Sequence, residues 1–243
     1  MPAALLYSAP EETYQDHILR CKEKFELIIP NLLSTVTRIF NASTKQETLA
    51  DYFLKMILFH DLGKLTRMWQ ERVGTGNRLP SHSTPGAAYL WNILPDGIKE
   101  PASFAVAIHH TDRGLLGDNI ERPDVQAITD RIVDNAGNID WYNETFKLDD
   151  NLFPEEARNI TVNDLKDMAR GLRVWARGCG LLEQHQRRLQ MALAHHILKL
   201  CDISAATERG EYQKKDDQDY YGGWLMVKGI KDYVDNIINR VKK

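Results

Sequence analysis

Residues 52–64 read YFLKMILFHDLGK, and the reading of this stretch decides the fold. Leu49, Phe53, Met56, Ile57 and His60 recur on one face at helical spacing, NASTKQE (residues 41–47) offers a start, and Gly63 a stop. His60-Asp61 thus ends an apolar helix with two titratable groups, which needs a reason. A carboxylate that accepts a hydrogen bond from an imidazole satisfies both groups without a metal. Alternatively, the pair supplies metal ligands. Neighbours on a helix point about 100° apart, so two of them do not easily grip one ion in mid-helix. At a helix end they are free to splay around a metal cluster.

The rest of the chain reads as helices outward from this one. SAPEE (8–12) offers Ser8 as an N-cap, with Glu11 three residues on and Pro10 near the start. Tyr14, His17, Ile18, Cys21, Phe25 and Ile28 then recur at helical spacing. GTGNRLPSHSTPG (74–86) is a loop. Helices are predicted over about 85–94, from 101 through ASFAVAIHH (102–110), and over about 123–135 after the loop TDRGLLGDNIERP. Residues 137–159 show no period, Thr161 with Asp164 opens the next helix, and LEQHQRRLQMALAHHILKLCDISAATERG (182–210) is the longest. DYYGGWLMV (219–227) has the pattern of a small hairpin through Gly222-Gly223, and an amphipathic helix over 229–241 closes the chain. Without repeat or linker, residues 1–243 are expected to form a single all-α domain.

Composition narrows the function classes. The 243 residues are 43% hydrophobic and 27% charged, ordinary for a globular protein with a packed core. A net charge of −3 argues against nucleic-acid binding by bulk positive charge. It does not exclude a nuclease, since bound ions supply positive charge that the sequence does not count. Cys21, Cys179 and Cys201 form no CxxC pair, so neither a disulfide framework nor a thiolate zinc site is suggested. A cytoplasmic protein is expected, because the first residues lack the pattern of a signal peptide and no apolar run is long enough to cross a bilayer.

Histidine recurs at the predicted helix ends. His60-Asp61 precedes Gly63, and His109-His110 precedes TDRG. His17 lies on the apolar face of the first helix, where a lone histidine is more often a satisfied core residue. His82 lies before a helix that it could equally well cap, and Asp202 sits in LKLCDISAA, where an unpaired carboxylate is costly to bury. Each signal is weak alone; together they supply the nitrogen and oxygen ligands of a buried metal site. His195-His196 is set aside, because His195 precedes Asp202 by seven residues, roughly 10 Å of helix. His185, amid EQHQRR, and Arg187-Arg188 read as a solvated face.

An early His, a His-Asp pair and a late Asp on a long helix resemble the HD phosphohydrolase superfamily. FHDLGK, SHS, AIHH and CDISAA resemble, in order and type, the HD nuclease of type I CRISPR interference. Ala206 stands where that family often has Ser, which leaves the ligands intact. The resemblance implies a helical domain with its metal site in the bundle. It implies His17, His60, Asp61 and Asp202 on a first metal and Asp61, His82, His109 and His110 on a second, with Asp61 bridging. One carboxylate spans two ions roughly 3.5–4 Å apart. Imidazole-rich ligation points to divalent Mn, Fe, Co or Ni, with Mg a further candidate.

By the same resemblance, Lys64 contacts a phosphate or the nucleophilic water, although a lysine beyond a helix C-terminus also gains from the dipole. Arg67, Arg72 and Arg113 are candidates for contacts to nucleic acid, with Arg78 nearby and Trp69 either stacking a base or belonging to the core. The expected activity is cleavage of single-stranded DNA, with RNA a second substrate class. The expected partners are a separate CRISPR-associated helicase subunit and a surveillance complex, since the chain carries no GxxxxGK[ST] motif. The alternative is an HD phosphohydrolase of nucleotides or cyclic nucleotides. Against its cyclic dinucleotide branch, HHTDRGLLGD lacks the GYP signature.

Overall fold

A computed structural model describes residues 5–40, 46–110, 128, 130–177, 180–208, 229–230, 232–237 and 239. The described residues are mainly helical, as the hydrophobic periodicity predicts. A two-stranded antiparallel ribbon, β1 (Tyr7–Ala9) and β2 (Glu12–Thr13), leads into α1 (Tyr14–Phe40). The expected cap at Ser8 is not used. Its hydroxyl donates instead to Glu12 Oε2 at 2.7 Å, which holds the ribbon together. Thr13 caps α1: its Oγ1 accepts the Asp16 N–H at 3.0 Å and donates to the Asp16 carboxylate at 2.7 Å.

The apolar run forms α2 (Gln46–Phe59), which stops one residue before His60. A 3-10 turn over Leu62–Leu65 and the short α3 (Arg67–Arg72) come after it. Next come α4 (Ser83–Ile93) and α5 (Lys99–Ile108). After an irregular stretch come α6 (Glu155–Arg158), α7 (Val162–Arg177) and α8 (Leu181–Thr207). α1 lies along α8 and α2, while α5 is clasped between α4 and α8. The buried faces of these helices meet in one core around Ile18, Met56, Leu90, Val106 and Leu198.

Gly63 does not stop α2 through a left-handed cap. It lies inside the 3-10 turn, and a Cβ there would sit 2.2 Å from the His82 carbonyl oxygen and 2.6 Å from its Cα. A Cβ on Gly86 would sit 2.3 Å from the Phe59 oxygen. These two glycines let the start of α4 lie directly on the turn at the end of α2.

The irregular segment braces the same turn from outside. The Arg67 N–H donates to the Asp140 oxygen (2.8 Å) and the Tyr142 N–H to the Leu65 oxygen (3.0 Å), beside a bridge between Thr66 and Trp141. The helix expected to reach residue 135 ends earlier. Residues 130–135 form a turn and a bridge from Val133 to Ile139, because the Asp134 carboxylate takes the N–H groups of Ala136 and Asn138. The earlier part of that helix, apart from residue 128, and the hairpin at 219–227 lie outside the described residues. The described residues from 229 to 239 are helical. Among the described residues, no helix is long and apolar enough to cross a membrane.

Candidate metal centre

Five helices bring the sequence-predicted residues to one place. His17 comes from the first turns of α1, His60 and Asp61 from the end of α2, and Asp202 from the last two turns of α8. His82 is the residue before α4, where it makes no side-chain cap, and His109-His110 come directly after α5. His17, His60, Asp61 and His109 are buried, Asp202 nearly so, His82 is half-buried and His110 is exposed.

Asp61 stands at the middle. Its Oδ2 faces His17 Nε2 at 3.2 Å and His60 Nε2 at 3.4 Å, while Oδ1 faces His82 Nε2 at 3.3 Å and His109 Nε2 at 3.5 Å. Asp202 Oδ1 closes the first side, 3.3 Å from His17 Nε2 and 3.9 Å from His60 Nε2. Ligand atoms about 2.0–2.2 Å from a shared ion stand roughly 2.8–3.6 Å from one another. Nearly all these separations fall in that range. The potential ligand atoms divide into two groups, His17, Cys21, His60 and Asp202, and Asp61, His82, His109 and His110.

The tautomers suit a cation. His60 Nδ1–H donates to the Ile57 carbonyl (2.7 Å) and His109 Nδ1–H to the Val106 carbonyl (2.5 Å); a carbonyl only accepts, so these nitrogens carry the protons. An Nε2 without a proton would turn a lone pair towards a carboxylate oxygen, a repulsive contact that a cation between them would relieve. Neither Nε2 has a hydrogen-bond partner, and neither does either Asp61 oxygen, apart from the Lys64 ammonium 2.7 Å from Oδ2. So many unmet buried polar atoms in one cavity are costly. The donor set therefore fits divalent metal.

Electrostatics agree. Burial raises the carboxyls of Asp61 and Asp202, but the surrounding histidines, and Lys64 beside Asp61, outweigh it and hold both well below the usual range. Burial pushes His82 down to about 4, leaving it neutral and ready to ligate. Burial also opposes protonation of His17, yet Cys21, Asp202 and Asp61 hold its pKa well above the ordinary value. Its proton is one that an arriving ion must displace. His82 and His110 approach at 2.6 Å between Nε2 atoms, so they share a proton that an ion would likewise replace.

Three residues of the centre escaped the sequence reading. Glu12, buried in β2, places Oε2 3.2 Å from His17 Nδ1 and is held by Ser8 and by Arg20 at 3.0 Å. A carboxylate behind a ligating histidine fixes its ring and raises its basicity. Cys21, one turn after His17, puts its sulfur 3.7 Å from His17 Nε2. Tyr14 brings a buried hydroxyl, which burial and then Asp61 hold well above a phenol's usual pKa. An S-x-x-x-E spacing ahead of the first histidine was the available signal for Glu12; the i, i+4 spacing to His17 was the signal for Cys21.

The basic residues divide. Lys64 is buried, on Asp61 and 5.5 Å from the Trp69 ring centre. Arg67 donates to both Asp140 oxygens at 3.1 Å, and Arg72 to the Arg78 carbonyl at 2.9 Å. Arg113 lies outside the described residues. Trp69 offers no face to a base: it is buried, donates to the Tyr7 carbonyl and packs edge-on against His82 at 4.5 Å. His185 is exposed, as expected, whereas Arg187 folds onto Trp175 and Glu183.

A helical bundle that closes around a His-Asp pair at a helix end defines an HD-type domain. No protein-family model matches the chain. The CRISPR-associated endonuclease Cas3-HD of Thermoproteus tenax is 27% identical to it over 206 residues, 82% of this chain and 86% of that protein. The solved CRISPR-associated Cas3 HD domain protein of Methanocaldococcus jannaschii is similar in fold, with a TM-score of 0.58 at 17% identity over 80% of this chain and 98% of the other. This chain shares the HD-type helical fold of that protein.

Proposed function

We propose that the chain is a metal-dependent nuclease of CRISPR interference that hydrolyses phosphodiester bonds in single-stranded DNA. The observation that carries this reading is the division of Asp61, whose two oxygens face separate histidine groups. The similarity to an endonuclease over most of the chain supports the reaction class. His17, His60, Asp61 and Asp202 would hold one ion and Asp61, His82, His109 and His110 the other. Two bound divalent ions supply a water of lowered pKa and neutralise charge growing on the phosphate and the leaving oxygen. Manganese, iron, cobalt and nickel suit these donors better than magnesium.

The chain's own residues prepare the rest. The carbonyls of Ile57 and Val106 fix the rings of His60 and His109, so little reorganisation is needed on loading. Lys64 carries a buried positive charge at the edge of Asp61, suited to a phosphate oxygen or to the nucleophilic water. Arg67, Arg72 and Arg113 would track the backbone of a strand delivered by a separate helicase subunit and a surveillance complex. A single strand enters such a cleft without duplex deformation.

The test pairs elemental analysis with cleavage assays under Mn on single-stranded DNA, single-stranded RNA and nucleotides. Wild type should hold two ions and cut single-stranded DNA, and Asp61→Ala should lose both properties. Undiminished cleavage by reconstituted Asp61→Ala would overturn the bridge. Phosphate release from nucleotides with DNA left intact would overturn the nuclease.

A further inference from the structure

Cys21 lies where a ligand would. It comes one helical turn after His17, which places the two side chains on one face of α1. Its sulfur is 3.7 Å from His17 Nε2, the nitrogen that also faces Asp61 and Asp202. Sulfur at about 2.3 Å and nitrogen at about 2.0–2.1 Å from one ion stand roughly 3.5–3.6 Å apart when the angle between them is near 109°. The potential ligand atoms of His17, Cys21, His60 and Asp202 all lie within 4.8 Å of one another. A buried cysteine is often only a small apolar filler. Here the thiol borders a ring of polar donors on α1, α2 and α8, where a filler has no reason to face.

We propose that Cys21 is a ligand of the first ion, adding a thiolate to His17, His60, Asp61 and Asp202 and so favouring a thiophilic divalent metal (zinc, cobalt or iron) over magnesium and manganese. This rests on the metal-centre reading above. On loading, the sulfur–hydrogen bond of Cys21 breaks, its electron pair goes to the metal and the proton leaves to solvent; no oxidant or reductant is involved. The second group, with three imidazoles and one carboxylate, carries no sulfur. The two sites of one centre therefore differ in softness, which favours mixed occupancy.

Cobalt reads this out without any substrate. Chelator-stripped protein titrated with Co2+ should develop a near-ultraviolet thiolate-to-cobalt charge-transfer band. Cys21→Ser should lose the band and at least about tenfold in cobalt affinity at one site, the lower end of what even an outer partner costs. The double variant Cys179→Ser/Cys201→Ser should keep the band. Zinc-loaded wild type should show half a sulfur scatterer per zinc at about 2.3 Å by X-ray absorption, one sulfur for the two ions. That measurement, with the double variant, decides the matter even where Cys21→Ser fails to fold. Two bound cobalt ions with neither band nor sulfur scatterer would overturn the role of Cys21 and leave the metal centre standing, as would a band that survives in Cys21→Ser. Absence of any bound metal would overturn both.

Discussion

Gly63→Ala should disable the second metal site through backbone contact alone. The added Cβ would fall 2.2 Å from the His82 carbonyl oxygen, about 1.2 Å short of the 3.4 Å at which ordinary contact begins. The obstacle is backbone, so no side chain can swing aside. Either the residues before α4 retreat or the turn carrying Asp61 does, and each movement widens the 3.3 Å gap between His82 Nε2 and Asp61 Oδ1. Metal sites tolerate ligand displacements of only about 0.2 Å. The second site should lose at least about tenfold in affinity, and overpacking should cost about 1–3 kcal/mol of stability. Gly171→Ala is the control. Its Cβ would strike the ring of Trp91, near the end of α4 opposite His82, at 2.1 Å, so stability should fall while both ions stay. The assay is metal content per chain after dialysis against graded chelator, alongside thermal unfolding. Gly63→Ala that holds two ions as tightly as wild type would refute the claim that this close approach positions His82.

Other perturbations separate ligand, support and scaffold. Glu12→Gln should weaken metal uptake by about 10–100-fold at one site only, measured by calorimetric titration, because His17 loses its anionic partner. Trp69→Ala should destabilise the protein by about 3–5 kcal/mol and loosen His82, whereas Trp69→Phe should keep the second ion; equal metal loss in both would count against packing as the cause. Arg67→Ala should cost less than about 1 kcal/mol, since its pair with Asp140 is partly exposed. It should also lower the slope of single-stranded DNA affinity against salt by about one, and an unchanged slope would remove Arg67 from the interface. Thr161→Ala should cost about 0.5–2 kcal/mol as a lost cap of α7. Burial opposes the Asp164 carboxylate, but bonds from Thr161 depress its pKa. Its contribution is therefore present above the ordinary carboxylate range and lost as pH falls through the folded value, visible in acid unfolding of Asp164→Asn against wild type.

The helices were legible because their signal is local. The periodicity of Phe53, Met56 and Ile57, and of Tyr14, Ile18, Cys21 and Phe25, states which face is buried, and those faces do meet in the core. What failed was equally physical. Ser8 has the chemistry of a cap, but a buried carboxylate four residues on is a stronger partner for its hydroxyl than a helix N–H. Gly63 has the sequence position of a helix stop, yet its missing side chain serves a residue nineteen positions away, which local spacing cannot express. Glu12 and Cys21 were visible as residues, but their direction depends on the ribbon and on the phase of α1.

The two adjacent pairs show how far a spacing argument reaches. Neighbouring side chains at a helix end are free to splay around a metal cluster, and the resemblance implies that Asp61 reaches both ions while His109 and His110 share the second. His60-Asp61 parts: His60 Nε2 belongs to the first group, while Asp61 reaches across with Oδ1 to the second. His109-His110 does not part, and both rings turn to the second group with centres 3.8 Å apart. The difference lies in the path of the backbone beyond each helix. After α2 the chain enters a tight 3-10 turn, pinned where Gly63 meets His82, and the turn swings Asp61 inward from the helix line. After α5, His109 keeps helical backbone angles and its Nδ1 is tied one turn back to Val106, so its ring points along the helix end and His110 folds beside it. Sequence supplied the residues and the helix ends; the geometry of the turn decides which oxygen or nitrogen faces which group of donors.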